Sequence, residues 1–269
     1  MGEINLRGKK TLTGRRLEEN QFSFQLKEGN ETLQTKKNDA DGNIVFDKIN
    51  YTKNDVGTHT YKIVELASSS AGYVYDNHTE VITVTVEDTG LDILTVTPTY
   101  DSDGVKFANQ YKAQGEITLG ANKYLEGRVL ANEEFSFELR KVDGALLQTK
   151  KNTVNGRVEF DAIRYNENDI GKTYTYTIKE VNTTRSGYTN DTHTETVTVS
   201  IADNGDGTLT PSITGNQNSV FNNKYKAIGN ITLNATKVLN KGTLQGGEFE
   251  FELIQNGAVL QKVTNKMEQ

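Results

Sequence analysis

The sequence predicts an all-β protein, with two β-sandwiches in tandem followed by the opening of a third, and three observations carry that prediction. Apolar and polar residues alternate at period two in segments such as "HTEVITVTVED" from His78, as in a strand with one buried and one wet face. Turn residues separate the segments, as in "DNGDG" ahead of "TLTPSIT", where Asn, Asp and Gly tolerate left-handed backbone. The whole series then recurs about 115 residues further on. About seven such segments per copy suit a two-layer antiparallel sandwich, and no helical periodicity lasts three turns.

The elements follow in order. A first strand is read from Ile4 to Leu12, and its equivalents from Ile117 to Leu125 and Ile231 to Leu239. "FSFQL" from Phe22 returns as "FSFEL" from Phe135 and "FEFEL" from Phe249; "LQTKKN" from Leu33 returns from Leu147. Next come "NDVGTHTYKIVE" against "NDIGKTYTYTIKE", then "DNHTEVITVTV" from Asp76 against "DTHTETVTVSI" from Asp191. "FANQYKA" from Phe107 and "FNNKYKA" from Phe221 close the copies. The expected domains are therefore 1–113 and 114–227, with 228–269 the truncated first part of a third repeat, too short to bury a core of its own.

Composition narrows the function. A net charge of −6 with Lys and Arg scattered among the acids leaves no nucleic-acid footprint. No apolar run approaches the ~18 residues of a membrane span, and the Met-Gly start lacks a secretory leader, so the expectation is a cytosolic chain or a piece of an exported one. With no cysteine, disulfides, thiolate metal sites and a cysteine nucleophile are excluded.

Strict alternation puts three polar residues of each copy on the apolar face. Ile4, Leu6, Gly8, Lys10 and Leu12 share a parity, as do Ile117, Leu119, Ala121, Lys123 and Leu125, and Ile231, Leu233, Ala235, Lys237 and Leu239. In "YKIVE" and "YTIKE" the inward slots end in Glu65 and Glu180. On the closing strands Asn109 falls between Phe107 and Tyr111, and Asn223 between Phe221 and Tyr225.

Burying a lysine, a carboxylate and an amide is costly unless they meet. One reading is a buried ion pair with the asparagine as hydrogen-bonding neighbour, or lysines that snorkel to water. The other is chemical. Desolvation disfavours both charges, so a proton can pass from ammonium to carboxylate and leave a nucleophilic amine. The amine attacks the asparagine side-chain carbonyl while the protonated glutamate hydrogen-bonds its oxygen; loss of ammonia then leaves a Lys–Asn amide. That is self-modification once per domain, without cofactor or turnover.

At these residues the chain resembles the streptococcal-type pilin isopeptide linkage domains, within the Cna B-type domains of Gram-positive surface proteins. The likeness rests on "GKKTL" with Lys10 and "ANKYL" with Lys123, "YKIVE" and "YTIKE", and "FANQY" and "FNNKY" with Asn109 and Asn223. Lys-to-Asn separations are 99 and 100. The resemblance implies tandem reversed immunoglobulin-like (Cna B-type) β-sandwiches whose first and last strands lie side by side, joined by this bond, with Glu65 or Glu180 opposite as catalytic acid. It implies an extracellular location, in the cell wall or pilus of a Gram-positive bacterium. "ATKVL" supplies Lys237 without a following glutamate or asparagine strand, so Lys237 is expected to stay a free amine. No LPxTG-like or YPK-like stretch is present, which leaves polymerised pilin and wall-anchored stalk both open.

Other candidates read as structure. His78 and His193 recur beside Asp76, Glu80, Asp191 and Glu195, but one histidine per domain among acids suggests a polar loop or strand start, and no metal site or cofactor is expected. His59 has no counterpart, and "DADGN" from Asp39 lacks the closing glutamate of a calcium loop. An enzyme acting on external substrates is not expected. If Lys10 is tied to Asn109 and Lys123 to Asn223, tension crosses the bridges, and the short gaps between them make a stiff rod. The function read from this is a structural stalk or pilin-backbone module whose partners are neighbouring repeats. The alternative is an adhesin binding a host matrix protein or glycan through its loops.

Overall fold

The computed structural model describes residues 1–90, 93–101, 104–182, 184–214 and 219–267. It divides into two compact units, Met1–Tyr225 and Lys226–Gln269. Among the described residues there is no α-helix, only two 3-10 turns, Lys53–Asp55 and Glu167–Asp169, each closed by a capping box.

The first copy folds as β1 (Gly2–Ile4), β2 (Arg7–Thr13), β3 (Ser23–Glu28), β4 (Glu31–Lys37), β5 (Asn43–Val45) and β6 (Ile49–Tyr51). It continues with β7 (Gly57–Leu66), β8 (Tyr73–Val74), β9 (Thr79–Asp88), β10 (Leu94–Tyr100) and β11 (Lys106–Tyr111). One sheet runs β10-β9-β7-β3-β4 and the facing one β5-β2-β11-β8, with β1 and β6 as a separate pair. All pairs are antiparallel except β2 with β11, where the first long strand and the last run parallel. Between the sheets Phe24, Leu26, Ile63, Ile82, Val84 and Phe107 are each 0% exposed. This is the two-layer sandwich that period-two alternation predicts.

The second copy repeats it as β12 (Gln114–Ile117), β13 (Gly120–Glu126), β14 (Ser136–Lys141), β15 (Leu146–Lys151), β16 (Arg157–Glu159) and β17 (Ile163–Asn166). Then come β18 (Thr173–Glu180), β19 (Tyr188–Thr189), β20 (Thr194–Asp203), β21 (Leu209–Thr214) and β22 (Val220–Tyr225). The sheets are β15-β14-β18-β20-β21 and β16-β13-β22-β19, again with first and last strands parallel.

Residues 226–267 depart from expectation. The second expected segment forms a hairpin, β23 (Glu250–Gln255) with β24 (Ala258–Thr264). The first, from Ile231, is not a strand, and Ile231 and Leu233 stand exposed. The physical reason is pairing. In the complete copies this strand is held on both sides, β2 by β5 and β11, and β13 by β16 and β22. Within 226–267 no described strand takes either place, and an unpaired strand leaves its backbone groups unsatisfied.

Candidate functional site: a lysine, glutamate and asparagine between the sheets

Three strands bring the polar residues together. β2 and β11 are neighbours in one sheet, with Lys10 opposite Phe107 and Leu12 opposite Asn109, so Lys10 and Asn109 lie two positions apart on one inward face. Glu65 comes from β7 of the facing sheet, where it pairs with Phe24. The second copy repeats this with Lys123 opposite Phe221, Leu125 opposite Asn223, and Glu180 opposite Phe137.

The approach of β2 is set locally. Lys10 N–H donates to the Gly42 carbonyl at 2.6 Å, and Gly42 has φ +87°. A Cβ there would lie 2.1 Å from the Lys10 carbonyl oxygen, so only glycine fits. Gly156 meets Lys123 in the same way. The Lys10 ammonium lies 4.7 Å from the Phe22 ring centroid and that of Lys123 4.6 Å from Phe135. Buried Asn38 fixes the first of these rings: its Oδ1 accepts from Phe22 N–H at 2.8 Å and its Nδ2 donates to the Glu18 and Asp39 carbonyls. Asn152 does the same for Phe135.

Glu65 bridges the other two residues. Lys10 Nζ donates to its Oε2 at 2.7 Å, and Asn109 Nδ2 to its Oε1 at 2.6 Å. In the second copy Lys123 Nζ donates to Glu180 Oε2 at 2.7 Å and Asn223 Nδ2 to Glu180 Oε1 at 2.6 Å. Both ion pairs are sealed, with side chains 0% and 0% exposed in the first and 0% and 1% in the second. Burial is the largest influence on the groups that respond. It pushes the Lys10 and Lys123 ammonium groups below the usual lysine range and Glu65 above the usual carboxylate range, although each partner pulls the other way.

One sequence-based expectation is corrected. The carbonyl oxygen of the asparagine does not face the glutamate. Asn109 Oδ1 accepts from the main-chain N–H of Asp76 at 2.7 Å, and Asn223 Oδ1 from that of Asp191 at 2.7 Å. A backbone N–H can only donate, which fixes the amide orientation and puts its nitrogen on the glutamate. The donor aimed at the carbonyl is therefore a peptide group, and the glutamate serves the nitrogen.

Asp76 and Asp191 are the residues that side-chain pattern missed. Asp76 Oδ2 accepts from Ala108 N–H at 2.9 Å and Oδ1 from His78 N–H, while the His78 ring, its Nδ1 2.5 Å from Asp76 Oδ1, stacks on Phe107. Asp191 holds Asn222 and His193 in the same way, with His193 on Phe221. Burial acts to raise both aspartates, but these donors outweigh it and leave them below the usual range. The available signal was the Asp-x-His recurring in "DNHTE" and "DTHTE". His59 belongs elsewhere, between Tyr51 and Tyr61, with its ring nitrogens facing Glu28 and the Asp55 carbonyl.

Lys237, in the unit 226–269, lies with its ammonium 4.4 Å from the Phe249 ring centroid. Among the described residues no group of three or more His, Cys, Asp or Glu is arranged to hold a metal ion, and no helix is long and apolar enough to cross a membrane.

Among solved structures, the chain is similar to the major pilin protein (T-13) of Streptococcus pyogenes, at 18% identity over 84% of this chain and 99% of that one, TM-score 0.34. A second major pilin from S. pyogenes aligns at 13% identity over 83% and 98%, TM-score 0.36. The C-terminal fragment of the pilus adhesin SpaC from Lactobacillus rhamnosus GG aligns at 15% over 86% and 100%, TM-score 0.26. No curated protein matches the chain. The family described as Spy0128-like isopeptide containing domain, FctA, matches residues 6–112 and again 119–226, each match spanning one lysine, glutamate and asparagine set, and the chain belongs to that family in two tandem copies.

Proposed function

We propose that each sandwich closes an intramolecular isopeptide bond, Lys10 to Asn109 and Lys123 to Asn223, and that the chain is a load-bearing module of a pilus backbone or stalk on a Gram-positive cell surface. The observation that supports this best is one sealed carboxylate shared by an amine and an amide whose carbonyl already meets a peptide donor. The proton passes from the ammonium to Glu65, and the freed amine adds to the Asn109 carbonyl carbon. Charge developing on Oδ1 falls on the Asp76 N–H, a donor in place before the reaction. Glu65, on the nitrogen side, hands its proton to Nδ2 and takes one from the attacking nitrogen as the C–N bond breaks. Of the three ammonium protons, one stays in the new amide, one leaves in ammonia and one is left on the glutamate. Glu180 and Asp191 take these parts in the second copy. No turnover follows, so the chain is not an enzyme in the ordinary sense.

The proposed bridged domains are 1–113 and 114–227, and 228–269 with Lys237 carries no bond. The intact chain should weigh two ammonia molecules less than its translated sequence, and digestion should yield two branched peptides, Lys10–Asn109 and Lys123–Asn223. An unmodified mass would falsify the bond chemistry, and a third lost ammonia would show that Lys237 has found an electrophile.

A further inference from the structure

Within residues 1–225 the two sandwiches meet through a specific clasp. Tyr111, at the end of β11, is 1% exposed; its hydroxyl donates to Asp203 Oδ1 at 2.7 Å and accepts from Gly207 N–H at 3.1 Å. Arg15 lies over the Tyr111 ring at 5.3 Å and reaches Asp203 with its Nε at 3.6 Å. Lys112 pairs with Glu167 at 3.0 Å, in the 3-10 turn of the second copy. Gly72 and Gly207 touch backbone to backbone: a Cβ on Gly72 would lie 2.7 Å from the Gly207 Cα. The first copy thus contributes a socket of Gly14, Arg15, Gly72 and Tyr111, and the second a plug, the Asp203-x-Gly-x-Gly207 hairpin with Glu167 beside it.

The second copy carries the same socket at its own far end. Gly127, Arg128, Gly187 and Tyr225 stand at the equivalent repeat positions, and Arg128 already lies over the Tyr225 ring at 5.3 Å. Tyr225 is half-buried where Tyr111 is buried, and Gly187 is exposed where Gly72 is half-buried. The first copy does not carry the plug. Lys53 stands at the position of Glu167, and Asp92 occupies the sequence position of Gly207. A lysine there would face the linker lysine.

We propose that Gly127, Arg128, Gly187 and Tyr225 form a docking socket for a following sandwich that presents an Asp-x-Gly-x-Gly hairpin and a glutamate in the adjoining 3-10 turn. The occupant is a repeat of the second kind, joined in line through a Tyr-Lys-Ala link, and a repeat of the first kind is rejected. The inference rests on the internal clasp and not on the crosslink chemistry.

The absence of cysteine allows paired spin labels to be placed cleanly. Leu33 and Leu147 are equivalent positions, each 38% exposed. In the full chain, Leu33→Cys with Leu147→Cys reads the existing junction. A duplicate of residues 112–225 inserted after Tyr225, labelled at both copies of Leu147→Cys, reads the new one. Insert folding is checked first by amide hydrogen exchange, with protection matching that of the parent copy. The electron–electron distance distribution across the new junction should be as narrow as across the existing one. Arg128→Ala should broaden the new distribution several-fold and leave the 33/147 distribution unchanged. An insert made of Lys-Ala followed by residues 1–111 should give a broad one. A broad distribution with the first insert, an equally narrow one with the second, or a short distance between singly labelled chains would each overturn the proposal, the last by making the face a chain-to-chain contact.

Discussion

In residues 226–269 the Lys237 ammonium lies 4.4 Å from the Phe249 ring, and in the two sandwiches Lys10 and Lys123 lie 4.7 and 4.6 Å from Phe22 and Phe135. The asparagine that fixes the ring is also common to all three: Asn265 Oδ1 accepts from Phe249 N–H at 2.8 Å, as Asn38 and Asn152 do for their phenylalanines. Yet Lys10 and Lys123 are 1% exposed and Lys237 is half-buried. The difference separates what is local from what is not. A lysine, an aromatic ring and an asparagine clamp form from one short stretch. The desolvation that shifts the lysine needs the facing sheet with its glutamate and the last strand with its asparagine, both far off in sequence.

The comparison breaks most sharply if a sandwich is reduced to the chemistry of the third lysine. Asn109→Ala removes the proposed electrophile and should leave the first domain uncrosslinked. Pulled by its termini, that domain should release the 98 residues between Lys10 and Asn109, which are silent in the parent, at roughly 3.3–3.6 Å each. In denaturant the same variant should lose about 4–5 kcal/mol from the freed loop alone, by the chain-entropy account. Force spectroscopy reads the first effect directly, and a parent domain that lengthens equally would show that no bridge carries the load.

A smaller effect tests the peptide donor. Asp76→Pro deletes the N–H that faces Asn109 Oδ1, and loss of one such donor should slow bond formation by about 10²–10³-fold. The second bond serves as internal control. Chains refolded from the unbonded state and sampled by intact mass should lose the second ammonia at the parent rate and the first far later. Equal rates would remove Asp76 from the mechanism.

The smallest effect is the pH dependence of that refolding reaction. Burial raises Glu65 and lowers Lys10, and the reactive state holds one proton between them. As pH falls through the raised glutamate value a second proton binds and the amine is no longer free. As pH rises through the lowered lysine value the last proton leaves and no acid remains for the departing nitrogen. The rate should trace a bell, narrower than unshifted lysine and glutamate groups would give because burial moves the two limbs toward each other, and a monotonic rise with pH would mean that amine deprotonation alone controls the step.

Much of this was legible because strands report on their faces. Parity alone singles out Lys10, Glu65 and Asn109 as candidates, since a polar residue on an apolar face of a period-two strand has few explanations, and the structure brings the three together. Asp76 was not found this way: its contribution is a main-chain N–H, which every residue but proline has, and its side chain looked like ordinary loop polarity. The strand expected from Ile231 has the right alternation, but alternation states only which face a strand would bury and says nothing of whether neighbours exist to pair with its edges. The clasp between the copies was hidden for another reason. Tyr111 continues the inward parity of β11, yet it packs with the core of the following sandwich, and no pattern within one repeat records a contact made by the next.

The parallel pairing of β2 with β11 carries a consequence for the order of events. A chain made or exported from its N-terminus delivers Lys10 first and Asn109 only 99 residues later, with Glu65 between them. In the proposed chemistry the nucleophile therefore waits, and the bridge would close only when the last strand has arrived and found its place beside the first. Each released ammonia would then be a receipt for one finished domain, written covalently and readable on a balance long after folding is over.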